Sequence, residues 1–165
     1  MGVKWSTKID KLPQMSATTK SINGRQCEVG AASSDAWLAS IHEYGCNIPV
    51  TPKMRAFFHY QGIHLNPKTT VIKIPERAFL RGAYDKDGER IIKQTERAIG
   101  QVIAGKMSMD DLLDLYGQQM ATAVKNYMKT TTPNSSLTVQ RKGKSTPLVD
   151  TGQLLSSITW RKTGI

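Results

Sequence analysis

The chain has 165 residues, with 23 Lys and Arg against 13 Asp and Glu and a net charge of +10. A chain of this length buries roughly 70% of the surface its unfolded form exposes, enough for a core without staples, and Cys27 and Cys46 make no disulfide framework, although a single bridge stays open. No run approaches the ~18 consecutive apolar residues of a membrane span, the N-terminus lacks the apolar stretch of a signal peptide, and the excess of cations favours polyanions or acidic protein surfaces as partners.

Residues 1–20 are polar, contain Pro13 and read as an extension, with a short amphipathic element around Trp5, Ile9 and Leu12; residues 21–165 read as one α+β domain. In "SINGRQCEVGAA" (21–32) the Asn23-Gly24 pair is a favoured hairpin turn leading into a strand with Cys27 and Val29 on one face. "SSDAWLASIHEYG" (33–45) predicts a helix capped by Ser33 or Ser34, with Trp37, Leu38, Ile41 and Tyr44 at helical spacing and Gly45 as the stop. The proline-bounded run "IPVTPKMRAFFHYQGIHL" (48–65) fits a helical turn carrying Met54, Phe57 and Phe58, or a strand; period does not separate them. "TTVIKI" (69–74) is β-branched and ends at Pro75, which belongs at a strand end or sheet edge.

"PERAFLRGAYDKDG" (75–88) reads as a loop or single turn that places Phe79 and Leu80 against something apolar, with Arg77 and Arg81 beside them. Two helices follow. In the first, Ile91, Ile92, Ile99, Val102 and Ile103 with Thr95 form one stripe, broken by Gly105-Lys106. In the second, a Ser108/Asp111 capping arrangement precedes Met109, Leu112, Leu113, Tyr116, Met120, Ala123, Val124 and Tyr127, and the short link makes the pair antiparallel. After Pro133 comes a polar basic loop with Arg141, Lys142 and Lys144; Asp150 or Thr151 then caps a helical turn carrying Leu154, Leu155 and Ile158, and "SITWRKTG" (157–164) alternates as a strand does. The expected fold is a mixed or antiparallel sheet packed by a long antiparallel helix pair.

Charge is uneven along this order: residues 1–20 sum to +3, 21–84 to +3, 85–128 to −1 and 129–165 to +5, so the ends are basic and the helical section is not. Tests for chemistry are unproductive. A zinc set can be drawn from Cys27, His42, Cys46 and His59, but it lacks a Cys-x-x-Cys pair, and His42-Glu43 lacks the second histidine of a zincin helix. "DKDGE" (85–89) resembles a calcium loop but has its glycine at the fourth position instead of the sixth, and reads as a solvated turn and helix start. "TPLVDTGQLLSSITW" (146–160) has an aspartate and hydroxyls but no base within reach, so Asp150 and Thr151 suit a cap better than a reaction. No catalytic, metal or cofactor-binding residue is expected. Arg141, Lys142 and Lys144 suit nonspecific phosphate contacts without the pattern of a sequence-specific DNA reader.

Four stretches, "IHEYG" (41–45), "IPERAFLRGAYD" (74–85), "LTVQRKGKSTPLVDTG" (137–152) and "GQLLSSITW" (152–160), together resemble the neck proteins of tailed bacteriophages, also called head–tail joining or tail completion proteins. The second resembles that family's Ile-Pro-x-Arg-Pro-Phe-Leu-Arg motif through Pro75, Arg77, Phe79, Leu80 and Arg81, with Ala78 in place of its second proline, a change that loosens the backbone restraint. The last two carry Asp150, Thr151, Gly152, Leu154, Ser157 and Ile158 of its Asp-Thr-Gly-x-Leu-x-x-Ser-Ile motif. The resemblance spans roughly residues 21–163 and rests on the ordered set rather than on any one motif.

It implies a non-enzymatic virion protein at the junction of filled head and tail, assembled in the host cytoplasm into a ring, often six-fold or larger, between the head connector or adaptor and the tail terminator. Positive charge would then suit nonspecific contact with DNA in the channel; no membrane or cofactor is involved. On this reading the segments at 75–84 and 133–152 contact neighbouring subunits or neck partners through Arg77, Phe79, Leu80, Arg81, Arg141, Lys142 and Lys144, while Pro75, Asp150, Thr151, Gly152, Leu154 and Ile158 shape the subunit. Core packing is the competing role for Phe79, Leu80, Leu154 and Ile158. A tail terminator, or a basic DNA-binding accessory protein, is the alternative function.

Overall fold

The computed structural model describes residues 24–32, 34–130 and 152–164. The elements are β1 (Gln26–Ala31), α1 (Ala36–Tyr44), β2 (Cys46–Pro49), α2 (Pro52–Tyr60), β3 (Val71–Ile74), α3 (Phe79–Ile103), α4 (Met109–Thr130), α5 (Gln153–Ser157) and β4 (Ile158–Thr163). The α+β expectation with a long helix pair holds, but the strands form two separate two-stranded antiparallel sheets, β1 with β4 and β2 with β3. β1 therefore finds its partner at the far end of the chain, Gln26 opposite Thr163 and Ala31 opposite Ile158. Of the expected hairpin turn, Gly24 lies within the described residues and takes a positive φ of 80°; Asn23 lies outside them.

The long helices run antiparallel because their apolar positions pair in reverse order. Phe79 and Ala83 meet Ala121, Val124 and Met128; Ile91 meets Met120 and Ala123; Ala98 and Val102 meet Leu112. The Ser108 hydroxyl accepts from the Asp111 N–H at 3.0 Å and donates to the Asp111 carboxylate at 2.6 Å, the capping arrangement expected from sequence. The β1–β4 sheet covers one side of α4, and Ile158 of β4 with Leu154 of α5 closes the main core. Gly117 lets it approach: a Cβ there would fall on the Trp160 ring.

Three expectations are corrected. Residues 79–88 are the first turns of α3, so "DKDGE" is mid-helix and 75–84 is a loop only as far as Ala78. On α1 the buried residues are Ala39 and Glu43, while Trp37 and Tyr44 of the expected apolar stripe are 65% and 68% exposed. On α3 the expected stripe splits: Ile91 and Val102 are buried, Ile92 and Thr95 half-buried, and Ile99 and Ile103 exposed, while Ala98 joins the buried face. The open choice at 48–65 resolves into the end of β2, a two-residue link and helix α2.

Candidate interaction surfaces

Two stretches far apart in sequence, 41–45 and 74–81, meet in one corner built around Glu43. Its carboxylate is buried in α1 and accepts the backbone N–H of Leu80 at 2.8 Å, the N–H of Arg81 at 3.1 Å and the Arg81 Nε–H at 2.9 Å. Glu43 thus caps α3 from another helix: it satisfies orphan donors at a positive helix end, where an anion is favoured. Arg81 completes the corner by donating to the Glu43 carbonyl at 2.9 Å and to the Glu76 carboxylate at 2.8 Å, and it lies 5.1 Å above the Tyr44 ring. The bond to Glu43 is the main cause that raises the Arg81 pKa above its ordinary value.

The chain enters this corner under tight restraint. Gly45 has φ 73°, and a side chain there would collide with the backbone of Ile74 and Glu76. Arg77 and Ala78 donate their N–H groups to the carbonyls of His42 and Glu43. Ala78 itself sits at φ 33°, ψ 46°, in the left-handed region. Proline, fixed near −65° and without an N–H, neither reaches that conformation nor makes the bond to Glu43, so the turn as it stands here excludes the motif's second proline.

A second junction ties the C-terminal motif to α1. Gln153, the first residue of α5, donates to the buried Asp35 carboxylate at 2.9 Å. Asp35, not Ser33 or Ser34, stands at the α1 N-cap position, without a side-chain capping bond; Ser33 lies outside the described residues. The residue preceding α5 is Gly152, at φ 82°. Asp150 and Thr151, like Arg141, Lys142 and Lys144, lie outside the described residues. A third junction brings cations of β4 and of the residue before β1 to the acidic start of α4: Lys162 bonds Asp114 at 2.9 Å, the Trp160 Nε1–H donates to the same carboxylate at 3.2 Å, and Arg25 pairs with Asp110 at 2.6 Å. The bonds from Lys162 and then Trp160 hold Asp114 below its ordinary pKa, and Asp114 in turn raises Lys162.

Residues 46–74 form an arm of different character. None of them is buried. Its shape comes from hydrogen bonds: the β2–β3 ladder, the Thr51 hydroxyl accepting from the Met54 N–H at 3.2 Å, and Arg55 donating to the carbonyls of Leu65, Asn66 and Thr69 at 3.3, 3.0 and 2.8 Å. Phe57 and Tyr60 on α2 are 58% and 87% exposed.

The expected interaction residues divide accordingly. Phe79 is fully buried, and Leu154 and Ile158 are core, so packing is their role; this corrects the partner-contact expectation for Phe79. Leu80 is half-buried against the same cluster. Pro75 is exposed at the corner. Arg81 is half-exposed and committed to the corner, and Arg77 is partly buried, which pushes its guanidinium below its ordinary pKa. Sequence reasoning missed Glu43: "IHEYG" marked the stretch, but a carboxylate that faces inward to cap a distant helix leaves no periodic signal.

Among the described residues the two cysteines are not brought together. Cys27 and Cys46 are free thiols in separate sheets. Among the described residues no cluster of three or more His, Cys, Asp or Glu could hold a metal, and no helix is long and apolar enough to cross a membrane. An open cavity of about 200 Å³ between β1 and the helix pair is lined by Cys27, Val29, Leu80, Tyr84, Tyr116 and Met120, among others. Burial raises both the Cys27 thiol and the Tyr116 phenol, so neither is poised as a nucleophile. Comparison with known proteins finds no matching family model and no significant match among curated proteins or solved structures.

Proposed function

We propose that this chain is a structural subunit of a phage neck, completing the junction between the DNA-filled head and the tail as a ring, and that it works through contacts without a catalytic step. The observation that carries the reading is the corner at Glu43: "IHEYG" and "IPERAFLR", two of the stretches that resemble the neck family, interlock through a buried carboxylate, two backbone N–H groups and Arg81. A motif of that kind sets the angle between α1 and the β3–α3 turn, and therefore the shape a subunit presents to its neighbours. Head connector or adaptor and tail terminator are the partners this role requires.

Deleting the gene and imaging the particles tests the proposal. Separate DNA-filled heads and finished tails are the expected outcome; normal virions would overturn it. A second reading, a basic DNA-binding accessory protein, draws on the arm, which carries Lys53, Arg55, Lys68 and Lys73 and no carboxylate. It requires a chain that stays monomeric and binds DNA with an affinity falling steeply with salt.

A further inference from the structure

Two surfaces left uncovered by the described residues have complementary chemistry. On α2, Lys53, Ala56, Phe57 and Tyr60 recur at three- and four-residue spacing and share one exposed face. On α3, Asp85, Glu89, Ile92, Glu96, Ile99 and Ile103 recur at alternating steps of four and three, a stripe about 27 Å long in which three carboxylates are interspersed with three isoleucines. Ile99 and Ile103 are 38% and 43% exposed, and Asp85, Glu89, Ile92 and Glu96 line one shallow depression with Tyr84 and Lys93, the latter paired with Glu89 at 2.6 Å, which leaves Asp85 and Glu96 as the carboxylates for Lys53. Scattered apolar exposure needs no explanation. An aromatic face on an arm without carboxylates, and an acidic isoleucine stripe elsewhere on the same molecule, are more specific.

We propose that the α2 face of one copy docks across the α3 stripe of a second copy, with Phe57 and Tyr60 against Ile92, Ile99 and Ile103 and Lys53 among the carboxylates. The proposal deepens the ring reading and rests on it. Because the two patches are different surfaces of one chain, the contact is heterologous: each copy has a donor face and an acceptor face, and repetition generates a ring where the rotation closes. A nucleic acid would suit the lysines of the arm, but it would leave the isoleucine stripe uncovered.

The test uses the full chain in two variants, Phe57→Ser/Tyr60→Ser for the arm and Ile99→Ser/Ile103→Ser for the stripe, examined by native mass spectrometry and sedimentation. All four side chains are exposed, and circular dichroism verifies folding. Each variant alone is expected to self-associate at least tenfold more weakly than the wild type. An equimolar mixture is expected to form a one-to-one heterodimer and nothing larger, because only one intact arm and one intact stripe remain to meet. A wild-type chain that is monomeric at every concentration would overturn both the docking and self-assembly of the free chain into a ring. Oligomers that persist in both variants would overturn the docking alone and leave the ring standing. If the arm variant loses DNA affinity while the mixture forms no heterodimer, the arm is a nucleic-acid surface and the proposal is wrong.

Discussion

The helix-pair body and the 46–74 arm are specified in different ways. In the body, Phe79, Ile91, Val124, Met128 and Ile158 are almost completely removed from water, so shape is set by burial, worth roughly 25 cal/mol per Å² of apolar surface. In the arm nothing is buried, and shape is set by a four-pair ladder, one helix cap and one arginine reaching three carbonyls. Hydrogen bonds of this kind are directional but contribute only about 1 kcal/mol net each. The comparison teaches that the arm can be well shaped while being weakly held, and that its exposed side chains are free to serve a surface.

The contrast is broken most severely by truncating one large apolar residue on each side. Phe79→Ala removes a fully buried ring and is expected to cost about 4 kcal/mol in chemical denaturation, whereas Phe57→Ala, 58% exposed, is expected to stay within about 0.5 kcal/mol. Equal losses would show that the arm has a core of its own. Next in size is the corner where body and arm meet. Glu43→Ala leaves two backbone donors of α3 without their partner and is expected to cost about 3 kcal/mol, with Glu43→Gln losing less because it keeps one acceptor. Hydrogen exchange should accelerate at Leu80 and Arg81 before it does so in the middle of α3.

Smaller effects test how closely the body is packed. Gly117→Ala places a methyl group against the near end of the Trp160 side chain, and Gly82→Ala places one against the far end of the Tyr127 ring. Alanine gains about 1 kcal/mol in helix propensity at either site, while a clash that moves a packed side chain costs about 1–3 kcal/mol. Gly117→Ala is therefore expected to destabilise by about 1–2 kcal/mol in thermal unfolding, and Gly82→Ala by less, since a ring end swings aside more easily than a ring base. Reversal of that order would mean that the β4–α4 seam is looser than the corner near α3.

Legibility in the sequence follows the same division. Period reads the buried side of α4 well although that helix packs on both α3 and the β1–β4 sheet: of the expected stripe, Leu112, Leu113, Met120, Ala123 and Val124 are buried, and Met109, Tyr116 and Tyr127 are half-buried. Where an element must turn a polar group inward or runs past its contact, period misleads. α1 must point Glu43 inward to cap α3, and doing so turns Trp37 and Tyr44 outward. α3 packs Phe79, Ala83, Ile91, Ala98 and Val102 on α4, and the neighbouring Ile99 and Ile103 that widen its apolar stripe lie beyond the contact. The first turns of α3 hold Gly82 and Gly88, poor helix formers whose places are set by the Tyr127 and Tyr84 side chains that crowd the helix there, a tertiary demand that local pattern does not show. The β1–β4 pairing joins Gln26 to Thr163 and Ala31 to Ile158, across nearly the whole chain, and no local pattern encodes it.

Acid offers the gentlest way to separate the two regions, because residues 46–74 contain no Asp or Glu while the β4–α4 seam depends on Asp114. Lys162 and Trp160 depress the Asp114 pKa in the folded chain, so the unfolded chain takes up this proton at higher pH than the folded one. Asp114 therefore contributes stability that is present above its unfolded value, near pH 4, and is lost as pH falls through its lower folded value. Lys162 has the opposite sign: its pKa is raised, so its contribution is present below the ordinary lysine range and is lost only in strong base. Asp114→Asn removes the carboxylate and should flatten the stability profile between about pH 6 and pH 2. Salt should weaken the wild-type pair, since both partners are partly exposed. Hydrogen exchange across that range is expected to rise in β4 and the facing turns of α4 in the wild type, and to change less with pH in the Asn variant. Equal acid sensitivity in residues 46–74 that persists when the neighbouring His59 and His64 are both replaced by Gln would mean that the arm's order is borrowed from the body through the Glu43 corner.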